Sequence, residues 1–301
     1  MVKASANSSS DGGAVRIETQ GYALRIRAVA GVESSCCVEQ VDVAFDMGCC
    51  EPHAVSKAHV FLTHGHADHV GAFVAHAARR SLQRMKPAAY YAPAHLVPHL
   101  QHVLEGFEAM HGDTIPAQFV AVHALDEFHI SPQWAVRAVP TVHRVPSFAY
   151  VLFRKHTKLK CEFTGMSGSE IAAKRREGVE VTTTTFTPEI AYTGDTTVEI
   201  FAEQTGTAVD EALQRARDDM LSVKVLITEA TYVCDSKTPE DATARGHIHL
   251  DQLVALAHRF ERVSSLVLVH FSAKYGVAEL AATIERKVPA PLRAKILIGR
   301  S

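Results

Sequence analysis

Hydrophobic and polar positions along the chain follow two periods in turn. YALRIRAVAG, CVEQVDVAF and AHVFLT are short apolar stretches, rich in β-branched residues and bounded by turn residues, and predict strands. WAVRAVPTV, TPEIAYT, VKVLIT and SLVLV predict four more, and a short one closes 85–93. Helices are predicted over 70–82 and 94–112. VDEALQRARDDML places apolar residues at Val209, Ala212, Leu213, Ala216 and Met220, a helical stripe. DQLVALAHRF does the same with Leu253, Leu256, Ala257 and Phe260. Strands and helices alternate in short units, which predicts an α/β fold. No repeat has a clear period. Residues 1–13, MVKASANSSSDGG, are small and polar and predict a disordered tail, leaving 14–301 as a single domain.

Several of these strands end on a residue capable of chemistry. VFLT runs into His64, RAVPTV into His143, EIAYTG into Asp195, KVLIT into Glu229 and LVLV into His270. In open α/β folds ligands gather at the carboxyl ends of strands. If these ends converge, one site receives histidines and carboxylates from five places.

Composition narrows the choice of partner. The 301 residues carry a formal net charge of −2, so nucleic acid could be met only by a local basic patch. Six cysteines include two adjacent pairs and no CxxC, a poor disulfide framework. With no signal peptide, this predicts reduced thiols in the cytoplasm or the nucleus. No apolar run approaches the roughly 20 residues of a membrane span. The tail has one lysine and no arginine, which argues against a transit peptide.

The segment FLTHGHADHVGA concentrates the chemistry. His64, His66, Asp68 and His69 fall within six residues, whereas a helix cap needs only one such residue. Imidazoles and carboxylates without thiolate suit zinc or a harder divalent ion. His64 and His66 alternate along an extended loop and could share one metal, while Asp68 and His69 could begin a second. Two metals about 3.5–4 Å apart suit hydrolysis of phosphate esters. His143, Asp195 and His270 are the free strand-end candidates for the remaining ligands.

THGHADH resembles the signature of the metallo-β-lactamase superfamily. Seven further segments keep the order of one branch, the short form of tRNase Z, with the plant-type enzymes nearest. They are AFDMGCCEP, RMKP, GMSGSEIAAKRREGVEV, TPEIAYTGDTT, LITEATY with GHIH, and VLVHFSAKY. The resemblance covers nearly the whole chain after the tail. It implies the αβ/βα four-layer sandwich and a metal-dependent endoribonuclease that removes the 3′ trailer of precursor tRNA. It also implies two zinc ions, with manganese or magnesium as substitutes. His64, His66 and His143 would bind the first, Asp68, His69 and His270 the second, and Asp195 would bridge. Glu229 and His247 would protonate the leaving 3′ oxygen, and Asp68 would orient the attacking water or take its proton. His249 competes with His247 for that role, but the spacing lets it cap a helix starting near Asp251.

Between His143 and Asp195 lies the basic segment 154–176, with Arg154, Lys155, Lys158, Lys160, Lys174, Arg175 and Arg176 against Glu162 and Glu170. On charge alone it could be a solvated surface. The resemblance implies an arm that grips tRNA in a homodimer, although the longer Gly- and Pro-rich arm of the bacterial branch is absent. A small-molecule thioesterase or esterase of the superfamily is the alternative. It would share HxHxDH but would not need TEAT, GHIH or the basic segment. A metal-dead RNA-binding subunit would not retain all seven ligand candidates.

Overall fold

The structure is a computed structural model that describes residues 3–4, 13–203 and 210–300. Strands with apolar side chains on both faces need cover on both faces. The chain supplies it with two mixed sheets packed face to face and helices on the outer side of each, an αβ/βα four-layer sandwich.

The first sheet runs Lys3–Ala4, Ile296–Ile298, Ser265–Val269, Val225–Glu229, Thr182–Tyr192, Phe148–Leu159, Trp134–Pro140, Glu127–Ser131. The second runs Phe271–Ser272, Tyr22–Ala30, Glu33–Val38, Val43–Phe45, His59–Phe61, Ala89–Pro93, Gln118–Val122, with Val15–Thr19 paired to Tyr22–Ala30. Each sheet has an antiparallel part and a parallel part. His64, Asp195, Glu229 and His270 lie at the carboxyl ends of the parallel strands.

Alternation along the strands decides which layer each residue serves. Val225, Ile227 and Val267 join the layer between the sheets with Phe45, Tyr150 and Tyr192. Leu226, Leu266 and Leu268 face the other way, under helices that contribute Phe260, Leu280 and Ile284. Behind the second sheet, Val60, Leu62 and Tyr90 pack against Phe73, Val74, Leu100 and Leu104. The middle layer is aromatic: Phe45 stacks on Tyr192 at 5.3 Å and Phe61 on Tyr91 at 4.2 Å. Each such pair adds roughly 0.5–1.5 kcal/mol beyond its burial.

Several expectations change in detail. CVEQVDVAF is two antiparallel strands, broken at 39–42, where Glu39 turns outward to Arg16 and Arg25 at 2.9 and 2.7 Å. The helix over 70–82 is two helices, Ala67–Val70 and Phe73–Leu82. Strand Phe148–Leu159 was not anticipated. It makes the basic segment a paired strand up to Leu159, followed by a helix at Gly168–Arg176. Helix Glu211–Met220 starts at a cap, Asp210; Val209 and the rest of 204–209 lie outside the described residues. Of the tail expected at 1–13, residues 1–2 and 5–12 also lie outside them, and Lys3–Ala4 pair with Leu297 and Ile298. All six cysteines are unpaired, and Cys161 is exposed. Among the described residues no helix is long and apolar enough to cross a membrane.

Candidate metal centre

The loop after strand His59–Phe61 is held by a carboxylate that the pattern of strands did not single out. Asp46 ends strand Val43–Phe45 in a left-handed backbone conformation (φ 57°) and is fully buried. Its Oδ1 accepts from Thr63 N at 2.8 Å, and its Oδ2 accepts from His69 Nδ1 at 2.7 Å and from the Tyr192 hydroxyl at 3.0 Å. Thr63 Oγ1 in turn lies 3.0 Å from His64 Nδ1. One buried carboxylate thus aims His69 directly and His64 through a threonine, the outer-shell arrangement that orients metal ligands. Gly48 completes the anchor: a Cβ there would lie 1.7 Å from the carbonyl oxygen of Asp68.

All seven predicted ligand candidates converge in two groups that share Asp195. In the first, His64 Nε2 is 2.9 Å from His66 Nδ1, which is 3.3 Å from His143 Nε2. His64 Nε2 is 3.9 Å from Asp195 Oδ2. The Gly246 carbonyl accepts from His143 Nδ1 at 2.8 Å and turns its Nε2 inward. In the second, His69 Nε2 is 3.6 Å from Asp68 Oδ2 and 3.3 Å from Asp195 Oδ1. His270 Nε2 is 3.3 Å from Asp68 Oδ2. Atoms capable of ligation lie within 4.8 Å of one another in each group.

The electrostatics fit a cation. Burial lowers the pKa of His64, His66 and His143, so three neutral imidazoles face one carboxylate. Neutral imidazole is the form that binds metal. Burial opposes charge on Asp68 and Asp195, yet His270 and His69 hold both below the usual carboxylate range. Burial also opposes charge on His69, but Asp195 and Asp46 carry it well above its ordinary value. Two carboxylates against one imidazole call for positive charge, which a proton or a metal ion can supply. Asp195 Oδ1 is buried, with His69 Nε2 and His270 Nδ1 each 3.3 Å away but no well-aligned hydrogen bond among the described residues. A buried carboxylate with Oδ1 toward the imidazoles of the second group and Oδ2 toward His64 of the first fits a bridging ligand.

Beside the second group stands a carboxylate–histidine pair. Glu229 is fully buried and its Oε1 accepts from His247 Nδ1 at 3.0 Å. Burial works against a charged His247, but the Glu229 carboxylate outweighs it and raises the pKa to about 9. That balance favours the charged form of His247. Glu229, His247 and His270 also lie within 4.8 Å of one another, so the pair adjoins the second group. His249 does not compete: its Nδ1 accepts from Asp251 N at 3.2 Å and caps helix Leu250–Ala255.

The basic segment sits apart, on the far ends of Phe148–Leu159 and Thr182–Tyr192 and on helix Gly168–Arg176. Lys160 pairs with Glu180 at 3.7 Å and Lys174 with Glu177 at 2.8 Å. Among the described residues no carboxylate pairs with Arg154, Lys155, Lys158, Arg175 or Arg176. The guanidinium of Arg154 lies 5.8 Å from the ring of Trp134.

Asp46, Thr63, the Gly246 carbonyl and Thr231 are the site residues that strand-end reading missed. AFDMG and TEAT contain two of them, Asp46 and Thr231, but a buried aspartate at a strand end or a threonine after one has no distinguishing period.

No family model matches the chain. Among curated proteins it is similar to tRNase Z TRZ1 of Arabidopsis thaliana, at 32% identity over 280 residues, covering 93% of this chain and 95% of that one. Among solved structures it is similar to the short form of human tRNase Z, with a TM-score of 0.52 at 18% identity, covering 97% of this chain and 94% of that chain. It is also similar to the metallo-β-lactamase fold protein YhfI from Bacillus subtilis, with a TM-score of 0.53 at 14% identity, covering 97% and 92%. At those identities the two structures establish the fold.

Proposed function

The chain belongs to the tRNase Z family of metallo-β-lactamase-fold hydrolases, and from that premise we propose that it removes the 3′ trailer of precursor tRNA by metal-dependent endonucleolytic cleavage. The observation that carries the reading is the pair of ligand groups sharing Asp195 with the Glu229–His247 pair beside them. A small-molecule esterase needs the first feature but not the second.

His64, His66, His143 and Asp195 would hold one zinc ion, and Asp68, His69, His270 and Asp195 the other, with manganese or magnesium as substitutes. Ions held there would supply Lewis-acid polarisation of the phosphodiester and a lowered pKa for water. Asp68, held ionised, orients the attacking water or takes its proton. His247 donates from Nε2 to the departing 3′ oxygen, since its Nδ1 is engaged by Glu229. The tRNA keeps a 3′ hydroxyl and the trailer a 5′ phosphate.

The test is incubation of purified protein with a 3′-extended precursor, with and without a chelator, followed by mapping of the cut. Cleavage just after the discriminator nucleotide that is lost with chelator is expected. A folded, metal-loaded protein that ignores the precursor and hydrolyses a small thioester would replace this reading.

The five cations of the arm without carboxylate partners, Arg154, Lys155, Lys158, Arg175 and Arg176, would meet phosphates of folded RNA, with Lys160 and Lys174 at their margin. Changing Lys158, Arg175 and Arg176 together to Gln should lower the slope of log affinity against log salt by about 2–3. An unchanged slope for precursor binding would exclude the arm.

A homodimer is supported by helix Val97–His111, which exposes Val103, Phe107 and Met110 at helical spacing, 46%, 47% and 76% accessible. Phe107→Glu should shift the sedimenting species from dimer to monomer at micromolar concentration; a wild-type monomer would remove the proposal. We place the protein in the cytoplasm or the nucleus, which its unpaired cysteines support.

A further inference from the structure

Thr231 stands where the acid half and the metal half of the site meet. It is buried, and its hydroxyl has more neighbours than one proton can serve. Oγ1 lies 2.5 Å from Glu229 Oε2, 3.2 Å from His270 Nδ1, 3.1 Å from the His270 carbonyl and 3.4 Å from His247 Nδ1. A hydroxyl offers one proton and two lone pairs. The carboxylate can only accept and is the shortest contact, so the proton goes to Glu229. The His270 carbonyl competes for it from farther away and without a charge.

That assignment fixes what the histidines must do. Glu229 already accepts from Thr196 N at 2.8 Å, Ile248 N at 3.1 Å and His247 Nδ1 at 3.0 Å. With Thr231 it has four donors. His270 Nδ1 now faces a lone pair of Thr231 and, at 3.3 Å, the carboxylate of Asp195. Both neighbours accept, so Nδ1 must carry the hydrogen. Nε2, turned toward the Asp68 carboxylate at 3.3 Å, is then the nitrogen left to bind an ion.

We propose that Thr231 is a positioning residue whose hydroxyl sets the tautomer of His270 and completes the donor shell of Glu229. The device rests on the site reading above and adds a residue to it. It makes one hydroxyl responsible for both the ligand nitrogen of His270 and the orientation of His247. The backbone supports the same link. His270 is held in a left-handed conformation (φ 57°), Ala230 N donates to the Val269 carbonyl at 3.0 Å, and Ser272 N donates to the Thr231 carbonyl at 3.1 Å.

Two substitutions separate the hydroxyl from the methyl group. Thr231→Val keeps the shape and loses the hydroxyl; Thr231→Ser keeps the hydroxyl and loses the methyl. Zinc affinity of the metal-stripped protein is read by competition with a chromogenic chelator, and kcat on precursor tRNA is read at saturating zinc. Thr231→Val should weaken binding of one of the two ions about 10- to 100-fold and lower kcat by a similar factor, with Thr231→Ser within about 3-fold of wild type on both. A packing role predicts the reverse order, and Ser as impaired as Val would overturn the proposal. The ¹⁵N shifts of His270 in the unaltered, metal-free protein give a check that needs no variant. Hydrogen on Nδ1 is expected, and hydrogen on Nε2 alone would overturn the assignment. Neither metal affinity nor tautomer depends on RNA, so a wild-type protein that fails to cut precursor would remove the functional reading and leave this one to stand or fall separately.

Discussion

Asp195→Ala should reduce precursor cleavage on the order of 10⁴-fold, more than loss of any single histidine ligand. The reason is that Asp195 is the one residue belonging to both ligand groups. Removing His143 takes a neutral donor from one group. Removing Asp195 takes negative charge from both and leaves His64, His69 and His270 facing one another. Several kcal/mol of transition-state stabilisation depend on the ions held there, and each 1.4 kcal/mol is tenfold in rate. Asp195→Asn keeps the shape without the charge and should fall nearly as far. The fold should survive, because Asp46 still partners His69 from the other side, at 2.7 Å. Native mass spectrometry should count fewer than two ions per chain, and circular dichroism should be unchanged. Cleavage within tenfold of wild type by either variant would sink the shared-carboxylate arrangement.

How much of this site could be read from the chain alone depends on the kind of residue. His64, Asp195, Glu229 and His270 were legible because each ends an apolar strand, His64 in the second sheet and the others in the first, and parallel strands bring their carboxyl ends to one edge of a sheet. The two ligand groups were legible within THGHADH because the motif divides, with His64 and His66 ahead of helix Ala67–Val70 and Asp68 and His69 on it. Asp46 was not legible as an orienting group. Its partners are His69, 23 residues on, and Tyr192, 146 residues on, and only the packing of one sheet on the other brings them together. Thr231 was hidden for a related reason, since its neighbour His270 is 39 residues away.

The fold shows the same division. Strand Val225–Glu229 announces itself by five buried apolar or terminal positions. Phe148–Leu159 does not, because FAYVLF is buried while RKHTKL projects beyond the core, so no single period runs through it. Its pairing with Thr182–Tyr192 supplies the order that its own pattern lacks. That pairing also carries the basic residues away from the two ligand groups.

His247→Ala should lower cleavage about 10²- to 10⁴-fold, the usual worth of a positioned general acid. The size of the loss should depend on the leaving group, and this makes the role testable apart from the fold. An alkoxide at the 3′ position leaves poorly without a proton. Glu229 raises the pKa of His247 to about 9 despite its burial, so at neutral pH the proton is present, and the Nδ1 contact leaves it on Nε2 for delivery. A precursor with sulfur in place of the bridging 3′ oxygen needs no such help, because a thiolate is a far better leaving group than an alkoxide. On that substrate the variant should come within about tenfold of the unaltered protein in the same metal. Glu229→Gln should behave as a weaker form of the same defect, since it keeps His247 in place but no longer holds it charged. If His247→Ala loses as much on the sulfur linkage as on the oxygen one, His247 does not protonate the leaving group. Its place beside His143 and His270, at ring distances of 5.5 and 5.7 Å, would then mean support of the ligands instead.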